Sequence, residues 1–153
     1  MDVRRLDALG ITHVLNVGGR MAAIAPAEAY KVAGIAYKII EADDVDGYPM
    51  LGRHFEDAKR FIDAARKDEH NGKSGACLVH CHAGMNRSGV IVAAYHMLEE
   101  RANVLNVVGH CRRMRGNVFL SSNNTFQEDL VALARREDLL GPKPSGPFPK
   151  YFS

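Results

Sequence analysis

A thiol and a guanidinium, with five residues between them, stand in the stretch His80-Cys81-His82-Ala83-Gly84-Met85-Asn86-Arg87-Ser88-Gly89. The residues before it, 76–80, read as a short buried strand, and residues 90–98 after it read as an apolar helix. The pair therefore flanks a loop that opens a helix. A helix start leaves several backbone N–H groups without intrahelical partners, and its aligned peptide dipoles place roughly half a positive charge there. Anions settle at such ends. Residues 82–86 can curl so that successive N–H groups converge on a phosphate, with Gly84 supplying a position that takes positive φ. The planar fork of Arg87 would then grip two phosphate oxygens. The same surroundings act on Cys81. A free thiol has a pKa near ~8.5, and values of about 3.5 to 7.5 occur at helix N-termini and beside cations. Cys81 is thus expected to be a thiolate at neutral pH, and a thiolate held beneath a phosphoryl group is a nucleophile aligned for attack on phosphorus.

Displacing an oxygen from phosphorus also calls for an acid that protonates the departing atom. The cluster Glu41-Ala42-Asp43-Asp44-Val45-Asp46-Gly47-Tyr48-Pro49 supplies carboxylates in one place. It follows an apolar run, residues 35–40, that reads as a strand, and it ends in Gly and Pro, which break structure. The carboxylates sit on a loop at the C-terminal end of a strand, where α/β folds place their ligands. Asp43, Asp44 and Asp46 are all candidates on this reading.

The remaining elements must bring the two loops together. Residues 2–9 read as a helix stopped at Gly10, residues 11–17 as a strand closed by Gly18-Gly19, and residues 26–32 as a short helix with Pro26 at its first position. From Leu51, apolar residues at Phe55, Ala58, Phe61, Ile62 and Ala65 keep helical spacing up to the break at His70-Asn71-Gly72. Further helices are expected over 104–114 and from about 124 to 136. This order predicts an α/β fold in a single domain: a small, mainly parallel twisted sheet flanked by helices on both faces. The domain is expected to cover residues 1–140. Residues 141–153, rich in Pro and Gly, read as a flexible tail.

The loop resembles the phosphate-binding loop of the cysteine-dependent protein tyrosine phosphatase superfamily, in which His-Cys, five residues, Arg and then Ser or Thr recur. Ala83-Gly84 and Arg87-Ser88 look most like its dual-specificity branch, and residues 9–17 look very like a strand of that branch. The likeness runs over residues 2–136 and implies a protein tyrosine phosphatase-like fold. It implies a phosphatase acting on phosphotyrosine and phosphoserine or phosphothreonine through a phosphocysteine intermediate. In that scheme Cys81 is the nucleophile, Arg87 and the loop residues His82, Ala83, Gly84, Met85 and Asn86 hold the phosphate, and Asp44 best fits the register of the acid. Ser88 would donate its hydroxyl to the departing sulfur, although a Ser at that place is also a common helix cap. The resemblance also implies that His80 buttresses the loop and favours the thiolate, that His82 faces the pocket mouth, and that Asn123 fixes the phosphate loop, a cap on the next helix being its alternative. Arg115 matches a position near the pocket; its alternative is a cation complementing a helix C-terminus. The family usually carries an edge strand before this point, so an exposed sheet edge is expected here. Two other readings stay open: the same chemistry on an RNA 5′-triphosphate or a phosphoinositide, and a phospho-binding module without catalysis. The absence of Lys or Arg from positions 82–86 favours protein substrates.

With 153 residues, 46% hydrophobic and 25% charged, the chain has the makeup of one globular domain. A net charge of +2 is too small to argue for nucleic acid as a partner. The start of the chain lacks the apolar core of a signal peptide, and no membrane partner is expected. A cytoplasmic protein is the simplest expectation, with the nucleus as the alternative. Cys77, Cys81 and Cys111 are too few and wrongly spaced for a disulfide framework or a zinc site, and His80 and His82 lack the partners a metal would need. No cofactor and no metal is therefore expected, a phosphorylated protein is the expected partner, and the oligomeric state is left open.

Overall fold

The computed structural model describes residues 2–142. Its centre is a three-stranded parallel sheet in the order β2-β1-β5, formed by β1 (Ile11–Asn16), β2 (Ala36–Ile39) and β5 (Ala76–His80). Strand β1 pairs with β2 from His13↔Ala36 to Asn16↔Ile39 and with β5 from Val14↔Leu78 to Asn16↔His80. Both its faces are covered, so residues 12–16 are all buried, the polar Thr12, His13 and Asn16 together with Val14 and Leu15. On one face Val14 packs with Leu6, Tyr30 and Ile35; on the other, Leu15 joins the larger core.

Two short helices, α1 (Val3–Ala8) and α2 (Ala27–Val32), bring Leu6 and Tyr30 to the smaller core. Pro26 is the N-cap of α2 rather than its first helical residue, so the helix starts one position later than the sequence suggests. The larger core is built from α3 (Met50–Lys67), α4 (Arg87–Glu100), α5 (Val104–Arg115) and α6 (Asn124–Arg136). Helix α3 buries Met50, Phe55, Ala58, Ile62 and Ala65, the stripe its spacing announces. Helix α4 is buried along most of its length, with Val90, Ile91, Ala93, Ala94 and Met97 inaccessible to solvent. A helix apolar all round belongs in the middle of a core, and this one starts at the phosphate loop.

The break at residues 70–72 is more than a helix stop. Asn71 and Gly72, at φ +53° and +76°, turn the chain between β3 (Glu69–His70) and β4 (Lys73–Ser74), a two-stranded antiparallel hairpin. Asn-Gly favours the turn with two left-handed residues that matches strand twist. In the order β2-β1-β5, β5, which leads directly into Cys81, is an outer strand. The tail expected at 141–153 lies, from residue 143 onward, outside the described residues.

Candidate active site

The end of β5 delivers Cys81 into a tight loop that runs into the first turn of α4. Gly84 takes φ +67°, the left-handed conformation that reverses the chain around an anion-sized space. The loop is fastened from behind: Leu120 donates its N–H to the Met85 carbonyl at 2.9 Å. His82 and Ala83 are exposed, Gly84 and Met85 half-buried, and Asn86 buried.

Cys81 is buried, and its Sγ lies 3.3 Å from Ser88 Oγ. Burial opposes the charge on sulfur, but hydrogen bonds from the Ser88 hydroxyl and from the N–H groups of Ser88, Gly84 and Met85 outweigh it. The thiol therefore sits below its ordinary range. The other two thiols go the opposite way. Burial pushes Cys77 up to about 12, and burial followed by the nearby Glu100 charge raises Cys111. His80 is neutral at pH 7, because burial lowers its pKa despite the bond between Nδ1 and the Cys81 carbonyl at 3.2 Å. It braces the Cys81 backbone and contributes no positive charge to the thiolate, so the charge preference at sulfur comes from hydroxyl and main-chain donors.

Arg87 is locked by main-chain oxygens: Nη1 donates to the Ala42 carbonyl at 2.9 Å and to the Gly18 carbonyl at 3.3 Å. Its Nε is buried and has no protein partner among the described residues. A guanidinium held rigidly at one corner with a donor left over is arranged to accept an anion. The Ala42 bond also ties the carboxylate loop to the phosphate loop.

Of the three aspartates, Asp44 is the one bound into the site. It accepts from Asn86 Nδ2 at 3.1 Å and from Asn123 Nδ2 at 2.8 Å. All three aspartates are exposed, but Asp43 and Asp46, among the described residues, make no side-chain hydrogen bond. Asn123 also caps α6, its Oδ1 accepting the Phe126 N–H at 3.0 Å. It thus serves as a cap and is linked to the phosphate loop through Asp44 and Asn86. Arg115 lies against the loop, Nη2 donating to the Ala83 carbonyl at 3.3 Å.

Two contributors were not singled out from the sequence. Gly18 packs so closely behind the loop that a Cβ there would come within 3.0 Å of both Cys81 Cα and the His82 nitrogen. Ser122 bonds Asn86 through both its hydroxyl and its N–H. The signal for Gly18 was the Gly18-Gly19 pair at a strand end; nothing local marks Ser122. A cavity of about 510 Å³ borders the back of the loop along Leu78, Val79, Val92 and Met114. It also touches Cys81, His82, Ala83, Gly84 and Ser88, so it adjoins the phosphate loop, while Arg87 and Asp44 do not line it. Among the described residues no group of His, Cys, Asp or Glu side chains is placed to hold a metal ion.

A parallel sheet ending in a cysteine, a nest of amides opening a central helix and an arginine closing the ring define the protein tyrosine phosphatase-like class of α/β domains. Residues 1–136 match the family described as dual specificity phosphatase, catalytic domain, and the chain belongs to it. It is 38% identical over 133 residues to dual specificity protein phosphatase 26 of Bos taurus, and 37% identical to the protein of that name from Homo sapiens, each match covering 87% of this chain. The chain spans 59% of the length of these relatives. Among solved structures it resembles DUSP15, with a TM-score of 0.67 and 26% identity over 94% of this chain and 87% of that one. The fold is also that of human tyrosine phosphatase-like serine/threonine/tyrosine-interacting protein, at a TM-score of 0.71 and 24% identity, covering 87% of this chain and 82% of that one.

Proposed function

We propose that this chain is a protein phosphatase that hydrolyses phosphotyrosine and phosphoserine or phosphothreonine through a phosphocysteine at Cys81. The observation that carries the reading is the lowered thiol of Cys81, hydrogen-bonded by Ser88 Oγ at 3.3 Å and by three main-chain amides. In the first step the thiolate attacks phosphorus and the bond to the substrate oxygen breaks, while the Asp44 carboxyl gives that oxygen its proton. In the second, the Asp44 carboxylate takes a proton from water as the water oxygen attacks phosphorus and the sulfur–phosphorus bond breaks. The Ser88 hydroxyl then stabilises the departing thiolate. Arg87 and the amides of residues 82–86 hold the three equatorial oxygens throughout.

Protein substrates are favoured by the absence of Lys or Arg from positions 82–86 and by relatives whose name is dual specificity protein phosphatase. The compartment that suits the site is a reducing one, the cytoplasm or the nucleus, since an activated thiolate is readily oxidised. Among the described residues no helix is long and apolar enough to cross a membrane.

The test is turnover of a phosphopeptide panel beside phosphoinositides and triphosphorylated RNA, with Cys81→Ser as control. Phosphopeptides are expected to be hydrolysed and the variant to be inactive. Retained turnover by Cys81→Ser would remove the mechanism; preference for a lipid or RNA phosphate would move the substrate class and keep the chemistry.

A further inference from the structure

Asn is among the best residues for capping a helix, and Asn86 stands at the N-cap of α4, yet its side chain caps nothing. It turns aside into the protein and is 4% exposed. There its amide touches two other loops. Nδ2 donates to Asp44 Oδ2 at 3.1 Å and to Ser122 Oγ at 2.9 Å, and Oδ1 accepts the Ser122 N–H at 3.3 Å. A backbone N–H can only donate, so the amide oxygen must face Ser122 N, and the NH₂ group must face the carboxylate. Asn123 repeats the arrangement: the Phe126 N–H fixes its oxygen, and its NH₂ reaches Asp44 Oδ1. One carboxylate is therefore gripped by two side-chain amides that are each oriented by a main-chain donor.

We infer that Asn86 is a positioning residue for the proton donor: from within the phosphate loop it sets Asp44 at a fixed place relative to whatever phosphate that loop holds. The inference rests on the phosphatase reading above. The neighbouring residue acts in parallel, since Arg87 bonds the Ala42 carbonyl, so the acid loop is registered to the phosphate loop at two points two residues apart. Turning the Asn86 side chain away from α4 has a second effect. The first-turn N–H groups that an ordinary cap would occupy stay available to the anion. One rotamer serves both loops.

Proton donation matters in proportion to the basicity of the leaving oxygen. A tyrosine phenolate, with a pKa of about 10, needs the proton far more than an acidic nitrophenolate does. Asn86→Ala is thus expected to lower kcat/KM about 10- to 100-fold on a phosphotyrosine peptide and no more than about threefold on an activated aryl phosphate, with KM little changed. In an Asp44→Ala background the same substitution should cost less than about twofold, because the group it positions is gone. The pH dependence of Cys81 alkylation reports on the nucleophile apart from the acid, and should shift little, because the Asn86 side chain makes no hydrogen bond to Cys81. Asn86→Ser, which keeps a polar group in the buried site, carries the same cycle if the alanine variant unfolds. Equal losses on both substrates, or an undiminished loss in the Asp44→Ala background, would overturn the positioning role while leaving the nucleophile in place. A Cys81→Ser protein that still turned over would overturn both.

Discussion

Cys81 Sγ and Ser88 Oγ, seven positions apart in the chain, face each other at 3.3 Å at the base of the phosphate loop. The hydroxyl is the first of the donors that outweigh burial at this thiol. Hydrogen bonds to charged groups contribute about 1.5–3 kcal/mol, so the Ser88 hydroxyl favours the thiolate over the thiol. In Ser88→Ala the sulfur loses that donor, so its pKa moves up. The active form is the thiolate, and kcat/KM rises as pH climbs through the thiol pKa. The rising limb should therefore shift to higher pH, and the phosphocysteine should accumulate because its leaving sulfur is less stabilised. Rapid-quench kinetics on an activated aryl phosphate checks both; an unmoved limb with no burst would show that the contact does nothing.

The three thiols should differ sharply in reactivity. Cys77, pushed up to about 12, is ionised at neutral pH only to the order of 10⁻⁵. Cys111 is also raised, by burial first and by Glu100 second, whereas Cys81 is lowered. Brief iodoacetamide treatment at pH 7 followed by peptide mapping should find the label on Cys81, and vanadate should protect it. Comparable labelling of Cys111 would contradict this ordering.

Tyr30 lies at the centre of the smaller core, fully buried, stacked on Tyr37 with ring centroids 4.3 Å apart. Its hydroxyl has no hydrogen-bond partner among the described residues. A buried hydroxyl without a partner costs about 1–3 kcal/mol relative to one left in water. Tyr30→Phe removes that atom and keeps the ring, so the variant should be more stable by about 1 kcal/mol. Urea unfolding with an unchanged m-value would show it as a higher midpoint. A lower midpoint would mean that the hydroxyl is satisfied in solution.

What the sequence discloses is what local pattern and spacing carry. The apolar stripe of α3, the strand β5 and the Cys81 to Arg87 spacing are properties of consecutive residues, and each appears in the folded chain close to where it is expected, although β5 is half-buried, with Ala76 exposed, rather than buried. The hairpin at Asn71-Gly72 was equally local, but its strands are two residues each and show no period to read. Other features depend on tertiary meeting. Asn86 meets Asp44 across 42 positions and Asn123 meets Asp44 across 79, so the direction of these amides is decided by loops that come together only on folding. A cap-type residue such as Asn86 carries no mark saying that its side chain serves another loop. His80 likewise looks like a cation beside sulfur, and only its burial shows that it is neutral.

Gly18 belongs to this second group, and it yields the sharpest structural prediction. Its backbone needs no glycine for conformational reasons, since its φ does not lie in the left-handed region. The demand is for space. A Cβ at this position would lie 2.6 Å from Ala22 Cβ, a distance real Cβ contacts do not sustain, and 3.0 Å from both Cys81 Cα and the His82 nitrogen, tight enough that the backbone there must give way. Two of the three neighbours are backbone, so no side chain can swing aside. The Gly18 carbonyl also accepts from Arg87, so a shift that relieves the clash moves a hydrogen bond that aims the guanidinium. Gly18→Ala should therefore destabilise the protein by about 1–3 kcal/mol, the usual cost of overpacking, and should weaken tungstate binding about tenfold or more. Isothermal titration on the folded variant, with urea unfolding alongside, separates the two effects. Destabilisation with unchanged tungstate affinity would mean that the strain is absorbed at Ala22 and never reaches the phosphate loop.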